Sequence, residues 1–403
     1  MCAEKYGIKT RVLEGMAATP VSTSTCVVYF GGAYNSNAKS MEPVHCNSYK
    51  EYLNTYHGGN EPAGHLHMDN AAEYALSVID SAWFVNCAGS ASTSEPSATD
   101  LKAALEPALA WICLNSSDVP NIICIPGGND DSTLLNELVA QCKGGINNTI
   151  HAQAFIDCVQ DEDEQITGGN PEASEIAVPI ADGCVVAAWG DAILDRNADG
   201  SIKKHIPASI ILSATRAEQD ARNTNNVPYR SIGNIRVAIK GMCVEDTECS
   251  CRQEKMNEVV ENGIVSFVNK GNNRWYTWGD HTSAVTAGET DDETYRFDST
   301  VAVLYHILNR FIAKWGTVID SPMSLRLRDC ILSEEQDYLN GLKALGCLVG
   351  DPRCEFRAID NSTDTIGKGQ FYFSNICTVV PPAKYIDLGI QYTDAGLSAY
   401  LGE

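Results

Sequence analysis

Val119-Pro120-Asn121-Ile122-Ile123-Cys124-Ile125-Pro126-Gly127-Gly128 is a short apolar run opened by a proline and closed by turn formers, the pattern of a strand buried on both faces. Residues 132–142 then read as a helix. The alternation continues to either side. Upstream, Cys26-Val27-Val28-Tyr29-Phe30 is a second buried strand ended by Gly31-Gly32. The spacing of Ala72, Tyr74, Ala75, Val78 and Ile79 predicts a helix over 71–84, followed by a strand over 83–87 and a helix over 101–112. Downstream, 152–156 and 184–188 read as strands, and 206–220 as a helix with Pro207 in its first turn. Strands alternating with helices of this length predict an α/β body built on a mostly parallel sheet covered on both faces.

Near residue 298 the pattern changes. Val301, Leu304, Tyr305, Leu308, Phe311, Ile312 and Trp315 trace one face of a long amphipathic helix. Ser333 and Gln336 form a capping-box pattern ahead of a second helix bearing Leu339, Leu342 and Leu345, and strands follow at 355–359 and 370–378. This predicts a C-terminal α+β domain. Both chain ends read as isolated strands: Tyr6, Ile8, Thr10 and Val12 share one face near the start, and Ile386, Leu388, Ile390 and Tyr392 share one face after Pro381-Pro382. A strand cannot satisfy its own backbone, so each end must find a sheet edge in its own fold or in a neighbour. The expected organisation is a strand arm and connector over 1–25, an α/β domain over 26–290, an α+β domain over 291–382 and a second strand arm over 383–403.

The 403 residues, 44% apolar and 20% charged, are ordinary globular composition with room for two or three domains. A net charge of −23 repels phosphate backbones and anionic membrane surfaces, which argues against nucleic-acid partners. The acidic runs Asp161-Glu162-Asp163-Glu164 and Asp291-Asp292-Glu293 read as solvated loops. Met1-Cys2-Ala3-Glu4-Lys5 lacks an apolar signal core and no stretch is long enough to cross a bilayer, so a soluble, cytoplasmically made chain without direct membrane insertion is expected. The 16 cysteines are scattered, several inside apolar runs, and read as buried reduced thiols.

Motifs with chemical meaning are weak. Asp195-Arg196-Asn197-Ala198-Asp199-Gly200 matches the first half of a calcium loop, but Ile206 stands where the bidentate carboxylate belongs, which favours a tight acidic turn. His57, His65 and His67 lack a carboxylate or thiolate at ligand spacing, and Cys243, Cys249 and Cys251 lack Cys-x-x-Cys spacing. The loop after Ile125 has neither a phosphate-loop ending nor a dinucleotide fingerprint, and no Gly-x-Ser-x-Gly elbow occurs. No catalytic, cofactor-binding or metal residue is assigned. An α/β hydrolase or nucleotide-binding enzyme stays open on fold grounds, as does a calcium-dependent binding module at Asp195 to Gly200.

In order along the chain, several pieces resemble the sheath proteins of contractile phage tails and of related contractile bacteriocins and injection systems. Asp118 to Gly127 resembles that family's PxxLxAPG strand-turn, and Ala154-Phe155-Ile156-Asp157 its AIxD strand. Trp189-Gly190-Asp191 and Ile206-Pro207-Ala208-Ser209 follow, with Arg216 and Asp220 placed as in its AxxDxxxG helix. Asn262-Gly263-Ile264 and Tyr276-Thr277-Trp278-Gly279-Asp280-His281-Thr282 resemble NxxGI and WGxRT, with His281 where arginine is usual. Leu342 to Gly350 resembles LxxxGAxxG, Gly369 the glycine before the penultimate strand, and Val380-Pro381-Pro382-Ala383 xPPAE, with Lys384 in place of glutamate. Residues 33–95 match loosely.

The resemblance implies a structural, non-enzymatic subunit whose outer α/β domain is subtilisin-like without a catalytic site. It implies polymerisation with neighbouring copies around an inner tail tube protein, baseplate and tail terminator proteins as further partners, and assembly in a bacterial host cytoplasm before incorporation into a virion tail or released particle. Terminal strands would be lent to neighbours, and eight extended residues reach about 26 Å. The inner, tube-facing surface is expected on the α+β domain, with Arg310, Lys314, Arg326, Arg328 and Lys343 as the charged candidates. Contraction would release a metastable extended lattice without nucleotide hydrolysis.

Overall fold

β1 (Cys26–Gly31) is buried along its whole length because each of its faces meets a separate core. Val27 and Tyr29 enter one core with Tyr52, Tyr56 and Met68, and Val28 and Phe30 enter the other with Leu105 and Leu109. The computed structural model describes residues 25–393 apart from 39, 128–129, 147–148, 160–165, 168 and 286–292. Tyr6, Ile8, Thr10, Val12 and the acidic runs 161–164 and 291–292 therefore lie outside the described residues.

After β1 come β2 (Pro43–Cys46), α1 (Tyr49–His57), α2 (His67–Val78), β3 (Ala82–Asn86) and α3 (Ala98–Asn115). Next are β4 (Pro120–Ile125), α4 (Ser132–Cys142), β5 (Gln153–Asp157) and β6 (Val185–Ala188). β7 (Asp191–Arg196), β8 (Ile202–Pro207) and α5 (Ala208–Arg222) lead to β9 (Arg236–Val237), β10 (Gly241–Val244) and β11 (Thr247–Cys249). The body closes with α6 (Gln253–Glu261), β12 (Ile264–Asn269) and β13 (Trp275–Trp278). The main sheet has nine strands in the order β9-β13-β12-β6-β5-β4-β1-β3-β2. Its six central strands, β12 through β3 in that order, run parallel, and β2, β13 and β9 add antiparallel margins. α1, α2, α5 and α6 cover one face, α3 and α4 the other. This is the α/β body expected from the strand-helix alternation. A four-stranded antiparallel sheet, β8-β7-β10-β11, stands beside it.

α7 (Asp298–Trp315), α8 (Leu325–Ala344), β14 (Leu348–Glu355) and β15 (Ser374–Val379) form the C-terminal α+β unit. Val303, Ile307, Leu339, Leu342, Cys347 and Leu348 make its core, with Val227 inserted from the body.

Several boundaries differ from the sequence reading, each for a local reason. α2 begins at His67, not residue 71, because the Asp69 carboxylate accepts from the Leu66 N–H (3.0 Å) and caps the first turn; it stops at Val78, where Ile79 is extended. Ile206 and Pro207 end β8 instead of opening α5, whose first turn is capped by the Asp157 carboxylate accepting from Ser209 N–H (2.8 Å). α8 starts at Leu325, where the Ser324 hydroxyl accepts from Leu327 N–H (3.1 Å), which leaves Ser333 in mid-helix. Gln336 is no capping partner. Its amide donates to the Pro352 carbonyl (2.9 Å) and accepts from Cys354 N–H (3.1 Å), fastening α8 to β14. The strand expected at 355–359 lies at Leu348–Glu355, where a register shift between Val349 and Arg353 absorbs Gly350, Asp351 and Pro352.

Replacing Gln336 by alanine leaves the Cys354 N–H and Pro352 C=O without that partner. The expected loss is about 1–2 kcal/mol of stability in chemical denaturation, with faster hydrogen exchange at Cys354. Unchanged exchange there would remove the fastening role.

Candidate functional site

The centre of the site is a guanidinium with no solvent exposure. Arg216, on α5, places Nη1 2.8 Å from Asp298 Oδ2 and 3.0 Å from the Arg230 carbonyl, Nη2 2.5 Å from the Pro228 carbonyl, and Nε 3.3 Å from Asp220 Oδ2. Arginine suits this position because its rigid fork satisfies acceptors in several directions while remaining charged. Asp220 and Asp298 are both fully buried, and the second oxygen of each finds no partner among the described residues. Burial outweighs the neighbouring guanidinium and raises each carboxyl to about 6.

The two described chain ends attach to this cluster. Thr25 donates its hydroxyl to Asp220 Oδ2 (3.2 Å) where the chain enters β1. At the other end, Lys384 pairs with Asp280, whose side chain is completely buried and also accepts from the Ser231 hydroxyl (2.5 Å). The Asp280 carbonyl accepts from Asp298 N–H at 2.8 Å. His281 donates Nδ1–H to the Val260 carbonyl (2.9 Å), stacks on Phe297 at 5.4 Å, and is held neutral by burial, which lowers its pKa. Lys384 lies over the same Phe297 ring. The two departures from the sheath motifs, His281 and Lys384, thus meet on one phenylalanine. Gly279 turns the chain into this corner at φ +97°, where a Cβ would stand 2.9 Å from Val260 Cγ2.

Beyond Lys384 the chain leaves the body. Val380 N–H still bonds the Cys347 carbonyl (3.0 Å), but 384–393 form no strand, and Ile386, Leu388, Ile390 and Tyr392 are about four-fifths exposed. Nearby, the β14–β15 sheet has two strands and two open edges among the described residues. Apolar Ile359 and Tyr372 are exposed close to it in sequence.

The five basic candidates fall into two groups. Arg310 bonds Glu335 (2.5 Å) and lies 3.8 Å from the Tyr338 ring centroid, Lys314 pairs with Glu334, and Arg328 pairs with Asp329 (2.6 Å). Arg326 and Lys343 are exposed and have no ion-pair partner among the described residues.

The other motifs are structural. Asp195 receives Lys240 (2.5 Å) and Lys203 (2.8 Å), which hold its carboxyl well below the usual range, and Asp199 accepts from Ser201 to close the β7–β8 turn. His57 bonds the buried Asp69 (2.8 Å), His67 lies 3.7 Å from Glu95, and His65 is exposed, so no shared site forms. Cys243, Cys249 and Cys251 are buried thiols, and the described residues contain no disulfide. No group of three His, Cys, Asp or Glu suited to a metal occurs among the described residues. Ser209 donates to Asp157 (2.5 Å), which burial raises to about 7; Gly127 N–H and Cys124 complete the contacts, and no histidine bonds either residue. No described helix is long and apolar enough to cross a membrane.

Neither a family model nor a curated protein matches the sequence. Solved structures do match. The sheath complex of an extracellular contractile injection system, PVC, in its contracted state is 17% identical, covers 95% of each chain and superposes with a TM-score of 0.69. The contracted helical sheath of the anti-feeding prophage is 13% identical over 93% of this chain and 95% of its own, with a TM-score of 0.67. A sheath tail protein from Listeria innocua is 12% identical over 88% and 94%, with a TM-score of 0.56. This chain has the sheath-protein fold. The likeness spans the α/β body and the α+β unit together. The sequence points to Arg216, Asp220, His281 and Lys384, and includes Asp280 at the variable position of the WGxRT-like run, only through the resemblance; Asp298 and Ser231 carry no signal for this cluster.

Because Asp220 and Asp298 bind protons more tightly when folded than when unfolded, they make stability fall as pH rises from about 4 to about 6. Asp220→Asn keeps an acceptor for Thr25 and Arg216, removes one titrating group, and should flatten that slope by up to about 1.4 kcal/mol per pH unit. Denaturation curves across this range check it; an unchanged slope would place the titration elsewhere.

Proposed function

We propose that the chain is the structural subunit of a contractile sheath, polymerising around an inner tube by lending its terminal strands to neighbouring copies. The observation that carries this reading is the C-terminal segment: an alternating apolar face on Ile386, Leu388, Ile390 and Tyr392, exposed to water and in no strand pairing among the described residues, on a subunit with the sheath fold. Exposed side chains in this pattern belong in a sheet. The two-stranded β14–β15 sheet offers open edges suited to strands from other copies. Tyr6, Ile8, Thr10 and Val12 would act in the same way at the other end.

Work would come from relaxation of the assembled lattice, since the contracted PVC and anti-feeding prophage sheaths share this fold. The connector before Thr25 and the pair Pro381-Pro382 are the hinges in this scheme, letting bodies rotate while strands stay joined. The α+β unit would face the tube, with Arg326 and Lys343 the best placed of the five basic candidates because they are exposed and without an ion-pair partner among the described residues. Tube, baseplate and terminator proteins would be the partners, and assembly would take place in the host cytoplasm.

Negative-stain electron microscopy of the purified chain, with and without its tube protein, tests the reading. Full-length protein should form rings or striated tubes, and a chain lacking 385–403 should fold but remain monomeric. Tubes from the truncated chain would refute strand lending, and monomers under every condition would refute the sheath reading itself. Arg326→Glu combined with Lys343→Glu should leave sheath polymers intact while abolishing co-assembly with the tube, read as empty sheaths in the same images.

A further inference from the structure

Thr25 and Lys384, where the two terminal segments leave the body, touch no common residue, yet a continuous set of bonds joins them. From Thr25 it runs through Asp220 to Arg216. From Arg216 it divides. One branch goes to Asp298, whose N–H donates to the Asp280 carbonyl, and the other goes to the Arg230 carbonyl, next to Ser231, whose hydroxyl donates to the Asp280 carboxylate. Both reach Lys384 at Asp280. We propose that Arg216 is a positioning residue for both chain ends, fixing Thr25 through Asp220 and Lys384 through Asp298, Ser231 and Asp280, so that loosening one root loosens the other.

Three features support coupling over mere adjacency. Asp220, Arg216, Asp298 and Asp280 are each at most 2% exposed, so water competes little for the bonds that join Thr25 to Asp280 through Asp298, whereas Ser231 on the other branch is half-buried. Asp220 and Asp298 each keep an oxygen without a partner among the described residues, and both depend on the same guanidinium, so a shift of Arg216 toward one leaves the other less satisfied. The roots are also the places where the described terminal segments are tied to this cluster: Lys384 is 40% exposed on its side chain and is followed by a segment that forms no strand among the described residues, so its pairing with Asp280 sets where the segment departs. This coupling is a property of one folded chain. It goes beyond the sheath reading and is measured on unassembled protein.

Trypsin provides the readout. Cleavage after Lys384 requires its side chain to leave Asp280, and the released fragment, 385–403, is quantified by mass spectrometry. Thr25→Val, which removes the hydroxyl at the opposite root, should speed cleavage after Lys384 about fivefold, while Thr25→Ser restores the wild-type rate. Cleavage after Lys255 and Lys343 serves as an internal control and should stay unchanged, since general destabilisation would accelerate all three. In an Asp298→Asn background, or with Arg216→Lys, which keeps the charge but loses the fork, Thr25→Val should add nothing further. Equal cleavage after Lys384 in Thr25→Val and wild type would overturn the proposal, as would an undiminished Thr25→Val effect in the Asp298→Asn background. If Arg216→Lys does not fold, the Thr25 and Asp298 variants carry the test alone.

Discussion

A buried guanidinium must be surrounded by acceptors, and in this chain the need gathers three separate segments around Arg216. α5 supplies the arginine and Asp220, the segment before α6 supplies the carbonyls of Pro228 and Arg230, and the first turn of α7 supplies Asp298. An isolated charge in that position would be prohibitively unfavourable, so the body and the α+β unit cannot separate at this point without exposing it. Asn309 adds a second clamp by accepting from the backbone N–H of His151 (2.8 Å) and donating to its carbonyl (2.7 Å). α7 is thereby fixed to the body over its first three turns, from which Val303 and Ile307 also pack on Leu339 and Leu342 of α8. The result is a rigid centre from which two chain ends leave.

The main sheet was legible because its signals are local. Val27 to Phe30, Ile122 to Ile125 and Val185 to Ala188 are uninterrupted apolar runs between turn formers, and a parallel strand buried on both faces requires that. The antiparallel sheet β8-β7-β10-β11 left a fainter trace. β7, β8 and β11 are partly solvated, with Arg196, Lys203 and Lys204 inside β7 and β8, and the fully buried β10 is only four residues long, so no clear periodicity or long apolar run marked the sheet. α8 was misplaced because its cap, Ser324, precedes Leu325 and two arginines, whereas Ser333 and Gln336 mimic a capping box in mid-helix.

The candidate site was legible only in outline. His281 and Lys384 stood out as departures from a resemblance, and their meeting on Phe297 required the fold to be known. Asp280 and Asp298 could not be found from spacing because they lie 18 residues apart in sequence, arrive from different elements, and answer charges on two further segments, Lys384 and Arg216. Buried polar networks are set by tertiary proximity, and a single sequence records that only where a motif has already been learned. The five basic candidates make the same point in reverse: a helix pattern shows Arg310 and Lys314 as charged positions, but not that Glu334 and Glu335 on the neighbouring helix take up their charges.

The acidity of the chain bears on how copies could be joined. With a net charge of −23, bodies approaching face to face repel one another, and only salt screening or well-matched surfaces would hold them. A backbone ladder has no net charge. Its strength depends on desolvated N–H and C=O groups and on apolar side chains such as Ile386, Leu388 and Ile390, none of which salt or surface acidity alters much. Joining acidic bodies through neutral strands therefore separates two tasks that one interface would have to combine. In the proposed sheath the strands would keep copies attached while weakly attractive body surfaces exchange one set of contacts for another, as a lattice that rearranges without falling apart requires.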